Sequence, residues 1–243
     1  MTKKRLFILL QYIVPQHFLS YLMGLAANST CKKLKNYMIS RFIRRYNVDM
    51  SIAQIENPED YPSFNAFFTR AVKNSARPVA AGNNTVVNPV DGCLSQIGTM
   101  QDDTLLQAKG VYYSLTSLLG NHPSAASFQN GSFATFYLSP RDYHRVHMPL
   151  EGKLVETIYV PGKLFSVNAT ATEMIPHLFS RNERLVCLFE SPAGPMAVIL
   201  IGAMLVGQIQ TIWGLIEKSK KIVTRNYIDQ EDIFLSKGAE LGK

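Results

Sequence analysis

The sequence predicts an α+β fold, in which N-terminal amphipathic helices precede a mostly antiparallel β domain. Three observations lead to this prediction. Residues 1–48 carry cations and apolar residues at helical spacing, short apolar runs separated by Gly, Pro and Asn follow Pro78, and 47% of the 243 residues are hydrophobic. The chain is therefore long and apolar enough for a folded core. We divide it into a helical segment, residues 1–77, and a β-rich domain, residues 78–243.

The net charge of +7 is concentrated at one end of the chain. The first acidic residue is Asp49, and the basic residues before it are Lys3, Lys4, Arg5, Lys32, Lys33, Lys35, Arg41, Arg44 and Arg45. Such a segment suits an anionic polymer or an anionic membrane surface. These cations alternate with Ile, Met and Phe and accompany no stacking platform or groove-reading motif, so we do not expect a nucleic-acid partner.

The first predicted helical stretch, residues 6–27, has the length of a membrane span. Polar residues and a proline interrupt it, namely Gln11, Pro15, Gln16, His17 and Ser20. We expect it to lie in a membrane interface; packing on a core, a true span and a secretory signal are the alternatives. More Lys and Arg follow where a mature start would be expected, which disfavours the signal.

The second stretch, residues 31–47, predicts a basic amphipathic helix. Its apolar side holds Met38, Ile39, Phe42, Ile43 and Tyr46, and its polar side holds Lys33, Asn36, Ser40, Arg41 and Arg44. We expect this helix to associate with an anionic membrane surface as well, and packing on a core is again the alternative.

Further along the chain the elements become shorter. Residues 61–73 predict a helix capped by Ser63, with Phe64, Phe67 and Phe68 on one face. Strands are predicted over residues 85–87, 93–98, 132–138, 153–160 and 185–190. The apolar run Pro195–Gly207 predicts a buried hairpin strand that continues to Trp213, and residues 217–243 show little pattern.

Four motifs could carry chemistry. Asn88–Gly92 (NPVDG) is either a hairpin corner or part of a site, and Val160–Asn168 (VPGKLFSVN) is either a ligand loop or a helix cap. His144 and His147, in a polar loop after a strand, could serve catalysis, a metal or the structure alone. Arg181–Arg184 (RNER) is typical of a salt-bridged turn. The three cysteines show no zinc or disulfide spacing, which favours a reducing compartment.

Taken in this order, the motifs resemble the bacterial, membrane-associated phosphatidylserine decarboxylases, which depend on a pyruvoyl group. The resembling stretches are SFNAFFTR at 63–70, NPVDG at 88–92, YLSPRDYHRVHMP at 137–149, YVPGKLFSVN at 159–168 and RNERLVCLF at 181–189. The resemblance covers nearly the whole chain. It implies that residues 78–243 are the catalytic domain and that residues 1–77 associate with the membrane.

The resemblance also implies a mechanism. Members of this family are proenzymes that cut themselves before a serine in a Leu-Gly-Ser-Thr motif, and that serine becomes the pyruvoyl cofactor on a small α chain. The family's Asp and His of the serine triad fall on Asp91 and His147, and its decarboxylation histidine falls on His144. The implied reaction converts phosphatidylserine to phosphatidylethanolamine, with His144, whose ordinary pKa lies near 6.5, protonating the carbon.

Several further expectations accompany the resemblance. No Leu-Gly-Ser-Thr occurs up to Lys243, so we expect the pyruvoyl serine to lie beyond that residue and this chain alone not to carry the cofactor. The expected partners are phosphatidylserine, the anionic membrane surface, the chain's own α chain and a second copy in a homodimer. We expect a peripheral position on the cytoplasmic face of the cell membrane. The alternatives are a noncatalytic membrane-binding relative and a metal-dependent enzyme that uses Asp91, His144 and His147; no metal is our expectation.

Overall fold

The computed structural model describes residues 2–82, 84–216, 218–228 and 232–243. The α-helices are α1 (Lys3–Ile13), α2 (Gln16–Ala27), α3 (Lys32–Tyr46), α4 (Phe64–Phe68), α5 (Leu115–Leu118), α6 (Ala169–Met174) and α7 (Leu178–Arg181). The strands are β1 (Cys93–Thr99), β2 (Thr104–Ala108), β3 (Val111–Ser114), β4 (Ser132–Tyr137), β5 (Val146–His147), β6 (Gly152–Val160), β7 (Arg184–Ser191), β8 (Gly194–Ile201), β9 (Gln210–Thr211), β10 (Gly214–Leu215), β11 (Val223–Asn226), β12 (Phe234–Leu235) and β13 (Glu240–Gly242). Helices followed by antiparallel strands confirm the predicted α+β class.

The first predicted helical stretch is two helices rather than one. Pro15 separates α1 from α2, because proline lacks the N–H that a continuing helix needs, and the two axes are bent by 87°. Among the described residues, no single helix has the length and apolarity of a membrane span, although α1 and α2 together do.

The polar residues that interrupt this stretch attach it to the β-rich part of the chain. The Oε1 atom of Gln11 accepts a hydrogen bond from the backbone N–H of Ser166 at 2.7 Å, and that of Gln16 accepts one from Leu164, also at 2.7 Å. Both glutamines are buried, and Ile8 beside them joins the main core. The polar interruptions therefore mark the docked side of the helix pair.

Helix α3 packs its apolar side onto the protein. Ile39 and Phe67 of α4 are fully buried in a cluster that also includes Val48 and Tyr61, with Phe42 against it. The packing alternative therefore holds for the apolar side of α3, and the association of this helix with an anionic membrane surface stays a prediction. The basic side stays exposed except for Lys35, whose Nζ donates to the carbonyl of Glu59 at 2.7 Å.

Helix α4 begins as predicted but ends earlier. The Oγ atom of Ser63 accepts a hydrogen bond from the N–H of Ala66 at 3.2 Å, as expected for an N-cap. The helix ends at Phe68 instead of continuing to residue 73, because Val72 pairs with Ala53 in an isolated antiparallel bridge.

The central sheet of the described chain has strand order β11-β6-β7-β8, with β12 also paired to β6, and every pairing is antiparallel. Alternate residues of β7 enter two separate cores. Val186 and Leu188 face the core that includes Ile8 and Phe165, whereas Cys187 and Phe189 face one that includes Leu241. Burial on both faces explains why β7 reads as an unbroken apolar run.

The predicted strands at 93–98, 132–138, 153–160 and 185–190 correspond to β1, β4, β6 and β7. The strand predicted at 85–87 is wrong: these residues form a loop, in which the N–H of Val87 donates to the carbonyl of Pro149. The run from Pro195 does not continue to Trp213, because β8 ends at Ile201 and a turn between Ala203 and Val206 follows. The unpatterned residues after 217 contain β11, β12 and β13.

A buried cation joins the short helices α5 and α7 to this sheet. Arg184 is 2% exposed, and its guanidinium donates to the carbonyls of Ser117, Leu118, Ser180 and Asn182 at 2.6–2.8 Å. Burial lowers its pKa to about 10. Among the described residues no carboxylate bonds it, so helix-end carbonyls supply the compensating negative charge.

We predict that Arg184→Met lowers the free energy of unfolding by about 3–5 kcal/mol, because it leaves several buried carbonyls without donors. Denaturant unfolding would measure the loss. The matched control is Arg141→Met, since the side chain of Arg141 is 67% exposed and the change should cost less than about 0.5 kcal/mol. Equal stability of the two variants would contradict a stabilising role for the hydrogen bonds of Arg184.

Candidate active site

The site lies where three separate stretches of backbone meet. Strand β5 pairs with β13, with Glu240 opposite His147, and the N–H of His147 donates to the carbonyl of Pro89 at 2.7 Å. The NPVDG motif, the histidine loop and the end of the described chain are therefore neighbours. The sequence predicted the first two of these as site elements and assigned nothing to the third.

Both ring nitrogens of His147 have partners. Nδ1 lies 2.9 Å from the carbonyl oxygen of Gly238, and Nε2 lies 3.0 Å from the hydroxyl of Tyr143. A carbonyl oxygen only accepts hydrogen bonds, so Nδ1 carries the proton in this contact. In the neutral ring Nε2 then carries the lone pair, so it is the nitrogen that can accept a proton from a substrate or a serine.

Asp91 is held by a different group. Arg77 binds its carboxylate with two hydrogen bonds, Nε to Oδ1 at 2.7 Å and Nη2 to Oδ2 at 2.5 Å. The bonds to Asp91 raise the pKa of Arg77. None of the hydrogen bonds found among the described residues joins Asp91 to His147, and Gly238 occupies the nitrogen that a triad aspartate would bind. The orienting role of Asp91 stays a prediction.

His144 lies in an apolar and cationic environment. Its ring centroid is 4.1 Å from that of Phe68, and burial, followed by the charge of Arg70, lowers its pKa to about 4. The ordinary value expected from sequence therefore does not apply, because α4 covers the ring. At neutral pH the His144 imidazole is uncharged and can accept a proton or donate through its one N–H.

Arg70 is a buried cation with unused donors. It is 3% exposed, and its Nη2 donates to the carbonyl of Arg141 at 3.0 Å. Its Nε and Nη1 have no partner among the described residues. Burial lowers its pKa. Two nitrogens without partners, which carry three N–H groups, on a buried guanidinium beside His144 suit an anionic group.

Other charged residues of the histidine loop hold the loop in place. Asp142 accepts hydrogen bonds from the N–H and hydroxyl of Ser139 at 2.6 and 2.7 Å. Arg145 donates to the carboxylate of Glu240 at 2.7 Å and to the carbonyl of Thr69 at 3.0 Å. These contacts tie the loop to β13 and to α4.

The two remaining motifs do not join the histidines through any hydrogen bond described here. Residues of VPGKLFSVN bind the N-terminal helices through backbone groups, and Asn168 caps α6. In RNER, the side chain of Asn182 hydrogen-bonds the backbone of Phe165 and Gly202, and Arg184 is the buried cation that donates to four carbonyls. The VPGKLFSVN contacts agree with the helix-cap alternative, and in RNER the predicted salt bridge is made by Glu183, which pairs with Lys218 at 2.8 Å.

Sequence reasoning missed several residues of the site. Tyr143 lies inside the histidine motif and could have been found there. Arg77 and Gly238 carry no sequence signal, since each reaches the site only through a long-range contact. As for a metal, no group of three or more His, Cys, Asp or Glu able to share an ion occurs within the described ranges.

Comparison with known proteins identifies relatives along the whole chain. A family model described as phosphatidylserine decarboxylase matches residues 64–243, and one described as PSD matches residues 6–47. Proteins named phosphatidylserine decarboxylase proenzyme are similar to it: one from Bordetella avium is 51% identical over 99% of this chain and 83% of its own length, and one from Pseudomonas aeruginosa strain LESB58 is 52% identical over 99% and 85%. One from Alcanivorax borkumensis is 51% identical over 99% and 84%.

The lowered pKa of His144 predicts a loss of stability in mild acid. The unfolded residue titrates near 6.5 and the folded one near 4, so the unfolded state binds more protons between these values. Titration of His144 costs the protein little stability above pH 6.5. As the pH drops toward 4 it lowers the free energy of unfolding, by about 1–2 kcal/mol at pH 5.

Thermal melts at pH 7 and pH 5 check this. His144→Gln should lose less stability than wild type between the two values. The matched control is His177→Asn, at an exposed histidine whose φ of 55° asparagine tolerates, and it should keep the wild-type loss. An unchanged loss in His144→Gln would show that His144 does not titrate this way.

Proposed function

The chain belongs to the phosphatidylserine decarboxylase family, and on that premise we propose that it converts phosphatidylserine to phosphatidylethanolamine after proenzyme self-cleavage. The observation that carries the proposal is that 99% of this chain aligns, at 51–52% identity, with proteins named phosphatidylserine decarboxylase proenzyme. The reaction is a decarboxylation, and the enzyme is a carboxy-lyase. The alternative of a noncatalytic relative is not favoured.

The residues present fit a pyruvoyl cofactor carried on a partner α chain. The unpaired N–H groups of Arg70 suit the anionic groups of phosphatidylserine. His144 supplies a neutral imidazole, and Nε2 of His147 supplies a proton acceptor. When bound, the group would supply a carbonyl able to condense with the substrate amine, and so an electron sink for the loss of carbon dioxide.

His147 is the residue we assign to self-cleavage. Its Nε2 is the basic nitrogen, and the Gly238 carbonyl holds the proton on Nδ1. A serine hydroxyl is a poor nucleophile until such a base takes its proton. Asp91, fixed by Arg77, places a negative charge in the neighbouring NPVDG loop, and we expect it to stabilise the imidazolium that forms.

His144 is the residue we assign to the decarboxylation step. Because it is uncharged at neutral pH, it does not oppose the binding of a cationic substrate amine and can move a proton at the reacting carbon. The packing of Phe68 on its ring limits the orientations that the imidazole can adopt.

Self-cleavage and turnover can be separated in a proenzyme that includes the self-cleaving serine. His147→Ala and Asp91→Asn should each leave a single uncleaved chain on a gel, because proton removal from the serine fails. His144→Ala should still yield two chains but lose about 10²-fold or more of its phosphatidylethanolamine production. Thermal melts control for folding. A well-folded His147→Ala protein that splits at the normal rate would contradict the assignment.

We also propose that the chain sits peripherally on the cytoplasmic face of the cell membrane. The side of α1 and α2 that does not dock on the β-rich part exposes large apolar residues. These are Leu6, Phe7, Leu9, Leu10, Ile13, Phe18, Leu19, Tyr21, Leu22, Met23 and Leu25. An apolar patch of this kind suits the headgroup–acyl boundary of a bilayer, where a phospholipid substrate lies.

The cations of the N-terminal segment favour an anionic surface. Lys3, Lys32, Lys33, Arg41 and Arg44 are exposed around the apolar helix pair or on the polar side of α3. Each cation close to an anionic surface contributes about 1 kcal/mol. The α chain as a partner follows from the proenzyme relatives, and the homodimer stays a prediction.

Sedimentation with vesicles tests the membrane proposal. Replacing Lys33, Arg41 and Arg44 together by Glu should weaken binding to phosphatidylglycerol-containing vesicles at least about tenfold, and added salt should weaken wild-type binding. The matched control reverses three exposed lysines outside the segment, Lys109, Lys220 and Lys221. Equal binding of the two triple variants would refute the anionic-surface proposal.

A further inference from the structure

We propose that Tyr143 is a positioning residue for His147, whose hydroxyl holds the imidazole so that Nε2 remains the proton-accepting nitrogen. This rests on the proposed function, in which His147 takes the proton of a serine. Tyr143 lies four residues before His147, in the loop that connects β4 to β5.

The contact has the geometry of a directed hydrogen bond. The Tyr143 hydroxyl lies 3.0 Å from Nε2, and the two rings lie 5.6 Å apart with an angle of 29° between their planes. Tyr143 is 6% exposed, so water has little access to the hydroxyl. Burial raises the pKa of Tyr143, which keeps the phenol protonated and able to donate.

The direction of this bond follows from the other side of the ring. Because the Gly238 carbonyl can only accept, Nδ1 holds the ring proton, and Nε2 of the neutral ring must accept from Tyr143. The imidazole is therefore hydrogen-bonded at both nitrogens, to the backbone carbonyl of Gly238 and to the hydroxyl of Tyr143. The carbonyl is too weak a base to remove the ring proton, and the phenol, whose pKa is raised by burial, is too weak an acid to protonate Nε2 at neutral pH.

In a serine–histidine–aspartate triad a carboxylate favours the tautomer with the proton on Nδ1. Here Asp91 is bound by Arg77, and the contacts of the ring nitrogens with Gly238 and Tyr143 favour that same tautomer. The Tyr143 hydroxyl also lies where a hydroxyl must come to give Nε2 its proton. We infer that it keeps Nε2 aligned for the serine and yields that place as the serine arrives.

A matched control separates this role from the ordinary need of a buried phenol for a partner. Tyr61 is as buried as Tyr143, and its hydroxyl donates to the carbonyl of Ile55 at 2.7 Å. Tyr61→Phe removes one buried hydrogen bond without touching His147. Tyr143→Phe removes a comparable bond and the contact with Nε2.

The experiment is nitrogen NMR of the 243-residue chain, labelled with ¹⁵N-histidine and held in neutral micelles at pH 8, with His147→Gln to assign the signals. In wild type, His147 should show a protonated Nδ1 and an unprotonated Nε2. Tyr143→Phe should move the Nε2 signal downfield, because the acceptor loses its donor, whereas Tyr61→Phe should leave it in place. A wild-type spectrum with the proton on Nε2 would overturn the proposal by itself, whether or not Tyr143→Phe folds.

A second measurement joins the contact to the reaction. In a proenzyme that includes the serine, Tyr143→Phe should slow self-cleavage by about tenfold, because the imidazole loses one of the two contacts that orient it before the serine arrives, and Tyr61→Phe should not. Cleavage at or above the wild-type rate in Tyr143→Phe would overturn the positioning role. A wild-type proenzyme that never cleaves would instead refute the proposed function, while the wild-type NMR spectrum still decides the contact.

Discussion

The pairing of β13 with β5 is the contact on which the site depends. Strand β5 is only two residues long, and its hydrogen bonds to β13 and to Pro89 hold His147 between two distant parts of the chain. The same pairing delivers the Gly238 carbonyl to Nδ1 and Glu240 to Arg145. The larger sheet supports it, because Leu241 packs into the core that holds Cys187 and Phe189 of β7. Backbone pairing therefore brings the Gly238 carbonyl to Nδ1 of the histidine, and the orienting role of Asp91 stays a prediction.

Two buried arginines differ in how many hydrogen-bond partners the protein gives their guanidinium groups. Arg184 has four carbonyl partners at the ends of two short helices, so its charge is compensated within the protein. Arg70 has one carbonyl partner and two nitrogen atoms without any among the described residues. A buried cation without a full set of partners is costly, which favours a ligand with negative charge. The low pKa of His144 is caused mainly by burial, and the same positive charge of Arg70 adds to it.

The N-terminal helices combine two kinds of surface on one short segment. Gln11 and Gln16 use side-chain oxygens to bind backbone N–H groups of residues 164–166, and Arg181 reaches the hydroxyl of Tyr12 at 3.1 Å. Their remaining sides are apolar and exposed. The helix pair is thus attached to the loop after β6 by a few directed hydrogen bonds. If this exposed side meets a bilayer as proposed, these hydrogen bonds would hold the lipid phase next to the β-rich part of the chain.

The sequence alone determined the fold class, most of the longer strands, the N-cap of α4 and the region of the site, because these depend on local periodicity, capping residues and a specific motif around His144 and His147. It also indicated a basic end that suits an anionic surface. Tertiary structure decided which side of α3 is covered, since a helical projection shows an apolar side but not what lies against it. It likewise decided where β8 ends, how the short strands after residue 217 pair and that His144 has a low pKa. Arg77 reaches Asp91 across 14 positions and Gly238 reaches His147 across 91, and no local pattern encodes which distant guanidinium or backbone carbonyl will arrive there.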